Sequence, residues 1–345
     1  LPGVMYMKYI EFDQTRPLDI VLLGRACIDL NPLVEEMYRT LDKSRTFKMY
    51  LGGSPANISA GLGRLGKKCG FIGKVSNDQF GDFAINELKK FGCDTKYVTK
   101  VNGPEKLGLT FTEVLSPEQS SILMYREKIA DLALSVDDVD EEYIKSAKML
   151  LISGTSLAES PSREAALKAM MIALKTNTPI VFDIDYRAYN WKNKDEISIY
   201  YNAVAQNADV ILGSREEFDL TLSLVTFEQL SDQEIANHFF AKKAKIVVIK
   251  HGKDGSTAYI ASGENFNVKP YTVKPLKGFG GGDGYASAFL YGLLEGWDMN
   301  KMLSYGSASA AILIQSHGCS DFMPTMPELE AFIEKQDSEF GAHVS

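Results

Sequence analysis

The 345-residue chain holds four cysteines, four histidines and no excess of basic residues, and each shortage removes a class of function. Cys27, Cys69, Cys93 and Cys319 are scattered without Cys-x-x-Cys spacing. They read as reduced thiols in or near the core of a cytosolic protein, not as a disulfide framework. His238, His251 and His317 lack metal-ligand spacing and His343 lies in the tail, which argues against a metal cluster. With 37 basic and 45 acidic residues the net charge is −8, and the two signs are interspersed. No face reads as basic, so nucleic acid is not an expected partner. No run of about 18 apolar residues is present, so no membrane span is expected. The first residues lack the cationic and apolar regions of a signal peptide, and the cytoplasm is the expected location. The residues ahead of Met5 or Met7 read as an appended remnant. There is no low-complexity tract, internal repeat or long linker.

What is present is a series of short apolar runs alternating with helical stretches, the pattern of an α/β protein with a largely parallel sheet. Asp19–Gly24, Lys148–Ser153, Pro179–Asp183, Ala208–Leu212 and Lys245–Ile249 are continuously apolar, as strands buried on both faces must be. Residues 162–175 and 233–242 read as helices between them. Residues 27–50 and 105–126 break the alternation and predict a small β-sheet lid. The expected layout is one domain over 18–335, an N-terminal extension over 1–17 and a tail over 336–345. Open α/β sheets bind ligands at the carboxyl ends of their strands, and a lid would keep water from a site beneath it.

Residues 278–284 hold five glycines, where 28 in 345 residues give an expectation of about 0.6 per window of seven. A helix is expected from Gly284 to Glu295. Glycines let backbone N–H groups face a phosphate, the helix N-terminus adds positive charge, and Asp283 could accept a hydroxyl proton. A flexible turn with Asp283 as a helix cap fits composition equally well. A second cluster, Gly52-Gly53-Ser54-Pro55-Ala56-Asn57, suits a polyol, although Asn57 also fits an inert first-turn residue. Gly61-Leu-Gly-Arg-Leu-Gly66 matches the dinucleotide fingerprint literally, but no strand precedes it and Gly66 reads as a helix C-cap. Asp29, Asp183, Arg187 and Glu217 follow strands, and Arg126 closes the second lid segment. Each also fits an ordinary loop charge or cap.

Taken together, Gly52-Gly53-x-x-x-Asn57 through Leu65-Gly66, Phe71-Ile-Gly73-x-Val75-x-x-Asp78-x-x-Gly81, and Gly280-Gly281-Gly282-Asp283 resemble the ribokinase-like PfkB carbohydrate kinase family over about residues 18–330. The resemblance implies a three-layer α/β/α domain with a mostly parallel central sheet and a small β-sheet lid. It implies Asp283 as catalytic base and the amides of Gly280, Gly281 and Gly282 as an anion hole. Asp29, Gly52, Gly53 and Asn57 would bind substrate hydroxyls, with Arg126, Asp183 and Arg187 beside them. Ser214, Glu217, Lys250, Gly252 and Lys277 would serve the nucleotide, with Glu217 reaching Mg²⁺ through water. Three departures stand out: Ser214 replaces Asn of an Asn-x-x-Glu motif, Lys250 replaces Thr, and Lys277-Gly278 replaces Asp-Thr. The implied cofactors are ATP and Mg²⁺, with a monovalent cation as a further candidate. Met124-Tyr125-Arg126 and Asp183-x-Asp185-Tyr-Arg187 are similar to members acting on keto-deoxy sugar acids, ahead of fructose. Two arginines suit a carboxylate, since a neutral sugar would leave one desolvated without a partner. A non-catalytic sugar-acid sensor is the reading of a different class. A homodimer through the lid is expected.

Overall fold

A computed structural model describes residues 9–343. The expectation for the residues ahead of Met5 or Met7 lies outside them. The strands in chain order are β1 (Ile20–Leu23), β2 (Cys27–Pro32), β3 (Phe47–Gly52), β4 (Cys69–Val75), β5 (Asp94–Lys100), β6 (Leu109–Ser116) and β7 (Gln119–Tyr125). They continue with β8 (Leu150–Ser153), β9 (Ile180–Asp183), β10 (Val210–Ser214), β11 (Ile246–Lys250), β12 (Ser256–Ile260) and β13 (Asn265–Val268). The large sheet has nine strands in the order β13-β12-β11-β10-β9-β8-β1-β4-β5. It is parallel from β5 through β11, and β12 and β13 close one edge antiparallel.

The apolar runs explain the layers. Successive side chains of a strand face opposite ways, so Ile20 and Leu22 join one core while Val21 and Leu23 join the other. The first core packs the helices Ser54–Arg64 and Gly281–Glu295 against the sheet. The second packs Ser162–Lys175, Lys194–Ala205 and Asp232–Phe240 on the opposite face. This is the three-layer α/β/α arrangement expected from the sequence. All four cysteines are buried and free. Among the described residues no helix is long and apolar enough to cross a membrane.

A second sheet of four strands, β3-β2-β6-β7, pairs β2 antiparallel with β3 and parallel with β6. Two short turns, Val34–Glu36 and Leu41–Lys43, interrupt the stretch expected to be extended over 27–50. The last helix, Met326–Phe340, carries through the point where a tail was expected. Residues 9–17 also pack on the domain: Arg16 donates to the Ala147 and Thr176 carbonyls, and Ile10 is buried. Gly61 and Gly63 lie within the helix Ser54–Arg64 and Gly66 ends it with φ +89°, so the literal dinucleotide fingerprint is a packing and capping feature.

The chain leaves β1 toward β4 and β5 on one side, then returns to build β8 through β11 on the other. Strand order therefore reverses between β1 and β8, and the crevice outside such a point is where open α/β sheets bind ligands. The segment Gly24-Arg25, the end of β9 at Asp183 and the end of β8 at Ser153 all meet there.

Candidate active site

The glycine loop ends in a left-handed residue, Gly280 at φ +91°, which a side chain would strain. The helix starts at Gly281, three residues earlier than expected, so Asp283 sits inside its first turn instead of ahead of it. The N–H groups of a first turn have no intrahelical partners, so those of Gly281 and Gly282 are free for an anion while the Asp283 side chain rises beside them. Asp283 is held from both sides: Ser54 Oγ donates to Oδ1 at 2.6 Å and Asn57 Nδ2 donates to Oδ2 at 2.8 Å. Ser54 and Asn57 belong to the first turn of the helix packed directly against this one. Burial raises the Asp283 carboxyl above its ordinary value, the Asp185 charge adds to the rise, and the two hydrogen bonds oppose it. A carboxylate held this way keeps lone pairs free and is a stronger proton acceptor than one in water.

On the side of the small sheet, Asp29 pairs across β2 and β3 with Tyr50 and directs its carboxylate over Gly52. A Cβ on Gly52 would lie 2.1 Å from Asp29 Oδ1, so glycine is required for that carboxylate to occupy its place. Burial pushes Asp29 up to about 6, against the pull of Arg25 and with the Asp283 charge adding to the rise. Asp183, at the end of β9, accepts from Ser54 Oγ at 3.2 Å and is raised by burial despite the nearby Lys250. Its neighbours Asp185, Glu217 and Asp283 push it the same way. Asn57 Oδ1 is buried without a partner among the described residues, an acceptor available to a ligand hydroxyl.

The two arginines expected at a substrate carboxylate already have carboxylate partners. Arg126 Nη2 meets Asp131 Oδ2 at 2.9 Å, with both side chains buried. Arg187 Nη2 meets Asp185 Oδ1 at 2.9 Å, and that carboxylate is what chiefly holds Arg187 in its charged form. Asp185 adopts a left-handed backbone at φ +42°, takes a hydrogen bond from Ser153 Oγ at 3.1 Å, and so fixes the turn after β9 at the crevice. Sequence reasoning left three participants without a role: Ser54, Arg25 and Asp131. Ser54 stands inside the glycine cluster that drew attention to Asn57, so its position was the available signal. Arg25 and Asp131 carried none.

On the side expected to take a nucleotide lies a groove of about 890 Å³ lined by Lys250, Gly252, Tyr271, Gly278, Gly282 and Tyr285. The Lys250 ammonium lies 3.8 Å from where a Cβ on Gly282 would stand, directly beside the anion-binding turn. Lys277 behaves differently. Its side chain is 1% exposed and turns beneath the loop, where Nζ donates to the Leu313 carbonyl at 2.6 Å. Burial lowers that ammonium to about 8. Ser214 and Glu217 form a capping box: Ser214 Oγ accepts from the Glu217 amide at 3.3 Å and Glu217 Oε2 accepts from the Ser214 amide at 2.7 Å. Glu217 Oε1 accepts from the Tyr186 amide at 2.8 Å, which ties this helix to the turn carrying Asp185 and Arg187. Ser214 is thereby the cap of this helix, a role asparagine fills equally well.

The family model for pfkB family carbohydrate kinases matches residues 17–326. The chain is 58% identical over 339 residues to a 5-dehydro-2-deoxygluconokinase of Clostridium perfringens, spanning 98% of this chain and 99% of that protein. It is 50% identical over 329 residues to a 5-dehydro-2-deoxygluconokinase of Geobacillus kaustophilus, spanning 95% and 97% respectively. Among solved structures, a putative ribokinase II of E. coli in complex with ATP and Mg²⁺ superposes with a TM-score of 0.81 at 24% identity, covering 92% of this chain and 99% of that one. The last likeness speaks for the fold, and the sequence matches speak for the family. The chain belongs to the PfkB family of carbohydrate kinases.

Proposed function

We propose that this carbohydrate kinase transfers the γ-phosphoryl group of ATP to the terminal hydroxyl of 5-dehydro-2-deoxygluconate. The observation that carries the reading is Asp283, gripped by Ser54 and Asn57 beside the free amides of a glycine-capped helix. The substrate follows from the Clostridium and Geobacillus relatives, whose activity is that of 5-dehydro-2-deoxygluconokinases. In the step itself Asp283 accepts the proton of the attacking hydroxyl. A bond forms from that oxygen to the γ-phosphorus while the bond from phosphorus to the β–γ bridging oxygen breaks, and ADP leaves. The amides of Gly281 and Gly282 and the Lys250 ammonium face the charge that develops on the transferring group. Asp29 and Asn57 hold substrate hydroxyls so that the terminal one lies in line.

Among the described residues no group of three or more His, Cys, Asp or Glu converges as a metal cage. A divalent ion would come to this site with the nucleotide phosphates, and Glu217, on the turn beside Asp183, is the carboxylate that would face it. Mg²⁺ arriving with ATP would neutralise charge on the phosphoryl oxygens, and Glu217 would meet it through water.

The test is ADP release coupled to a pyridine-nucleotide assay, run with 5-dehydro-2-deoxygluconate, 2-keto-3-deoxygluconate and fructose. The kcat/KM for the first should exceed both others by at least ~10-fold. A higher value for either rival replaces the substrate named here.

A further inference from the structure

We propose that Arg25 binds the carboxylate of the sugar acid and sets the preference for an acid over a neutral sugar, an assignment that rests on the sugar-acid reading above. Arg25 is 4% exposed, and among the described residues no carboxylate oxygen lies within ion-pair distance of it. Its Nη1 is 3.8 Å from Met124 Sδ and 3.5 Å from the Tyr189 hydroxyl, both weak contacts for a guanidinium. Nε is buried with no acceptor. Asp185 and Asp131 favour its charged form from beyond ion-pair distance, so the guanidinium stays a cation with donors left over for a bound anion. A planar fork of donors matches a carboxylate bidentately.

Its place in the fold puts that fork at the substrate. Arg25 follows β1 at the reversal of strand order. A Cβ on Gly53, whose φ is +94°, would stand 2.6 Å from the Arg25 carbonyl oxygen, so the Arg25 backbone presses on the turn that carries Ser54 and Asn57 to Asp283. Met124 comes from the last strand of the small sheet and Tyr189 from the segment after β9. The guanidinium therefore bridges the two walls of the crevice. Arg126 and Arg187 stand close by, but their charges are met by Asp131 and Asp185. Arg126 retains Nε and Nη1 without partners and can add a hydrogen bond; Arg25 is the arginine of the three that makes no direct ion pair among the described residues.

The experiment compares wild type, Arg25→Met, Arg25→Lys and Arg126→Met with the sugar acid and with its neutral counterpart bearing a hydroxymethyl group in place of the carboxylate. Steady-state kinetics are run at saturating ATP, and binding of the acid is measured separately by calorimetry, which needs no turnover. Arg25→Met should weaken binding of the acid and raise its KM by ~100-fold, change the neutral sugar by less than about threefold, and leave the KM for ATP and the melting temperature in place. Arg25→Lys should recover part of the loss. Equal effects on acid and neutral sugar, or a loss carried by Arg126→Met in place of Arg25→Met, would overturn the assignment. Acid binding by the wild type without turnover sinks the kinase reading alone, and absence of acid binding sinks both.

Discussion

Replacing Asp283 with asparagine separates chemistry from architecture. The two donors on Asp283 allow the amide to fit. Its oxygen can accept from Asn57 Nδ2, which now stands 2.8 Å from Oδ2. Its NH₂ can donate to Ser54 Oγ, because that hydroxyl can turn its own proton to Asp183 Oδ2 at 3.2 Å. Both contacts made at position 283 are kept, so substrate binding should persist while the proton acceptor is gone. Loss of a general base costs ~10³-fold in kcat, about 4 kcal/mol of transition-state stabilisation. Stability should move the other way. A carboxyl whose pKa rises on folding contributes stability only below its unfolded value and loses it as pH climbs through the folded one. Burial raises Asp283, so at neutral pH it opposes folding. The uncharged amide removes that opposition, and the melting temperature should stay level or rise. Stopped coupled assays with 5-dehydro-2-deoxygluconate and a calorimetric melt give both readings. A variant that keeps kcat within about tenfold of wild type, or one that melts well below it, would refute this account of the site.

Four further outcomes follow from the same geometry. Gly52→Ala should displace the Asp29 carboxylate, given the 2.1 Å approach, and raise the KM for the sugar acid by ~10-fold or more with the KM for ATP unchanged; an unaltered sugar KM would remove Asp29 from the site. The buried Lys277 ammonium loses its proton as pH rises through about 8, so kcat/KM for ATP should fall above that pH in wild type and not in Lys277→Met. Coincident profiles would show that its charge does not serve the loop. Ser214→Ala should cost about 1 kcal/mol in urea unfolding through loss of the helix cap, and no change would mean that the Glu217 contacts alone hold the turn. Ile122, Leu123 and Tyr125 of β7 are exposed, and a dimer through the small sheet should cover them, which sedimentation velocity checks; a monomer at assay concentration would refute it.

Much of this was legible along the chain because it depends on local chemistry. Continuous apolar runs required a sheet covered on both faces, and the structure places alternate residues of β1 in opposite cores. The capping box Ser214-x-x-Glu217 was also present as a local pattern, although the departure from Asn-x-x-Glu drew attention away from it. The helix start at Gly281 was harder to see, since glycine disfavours helix and only the left-handed Gly280 and the packed neighbouring helix make it begin there.

The sequence by itself determined the family chemistry: a glycine turn ahead of a helix, an acid in that turn, and a second glycine cluster with an amide side chain. It could not determine which charges are compensated, because ion pairing depends on where side chains end, not on which residues are present. Arg126 and Arg187 are expected from the sequence beside a substrate carboxylate, and tertiary structure gives each a carboxylate of the protein as well. Arg25 gained its role only when folding carried Met124 and Tyr189, 99 and 164 residues away, to its side and left every carboxylate among the described residues beyond ion-pair distance. Lys277 was likewise directed beneath the loop by the Leu313 carbonyl, 36 residues distant. Desolvation is a property of the assembled interior, and it decides which of several similar charges is left for a ligand.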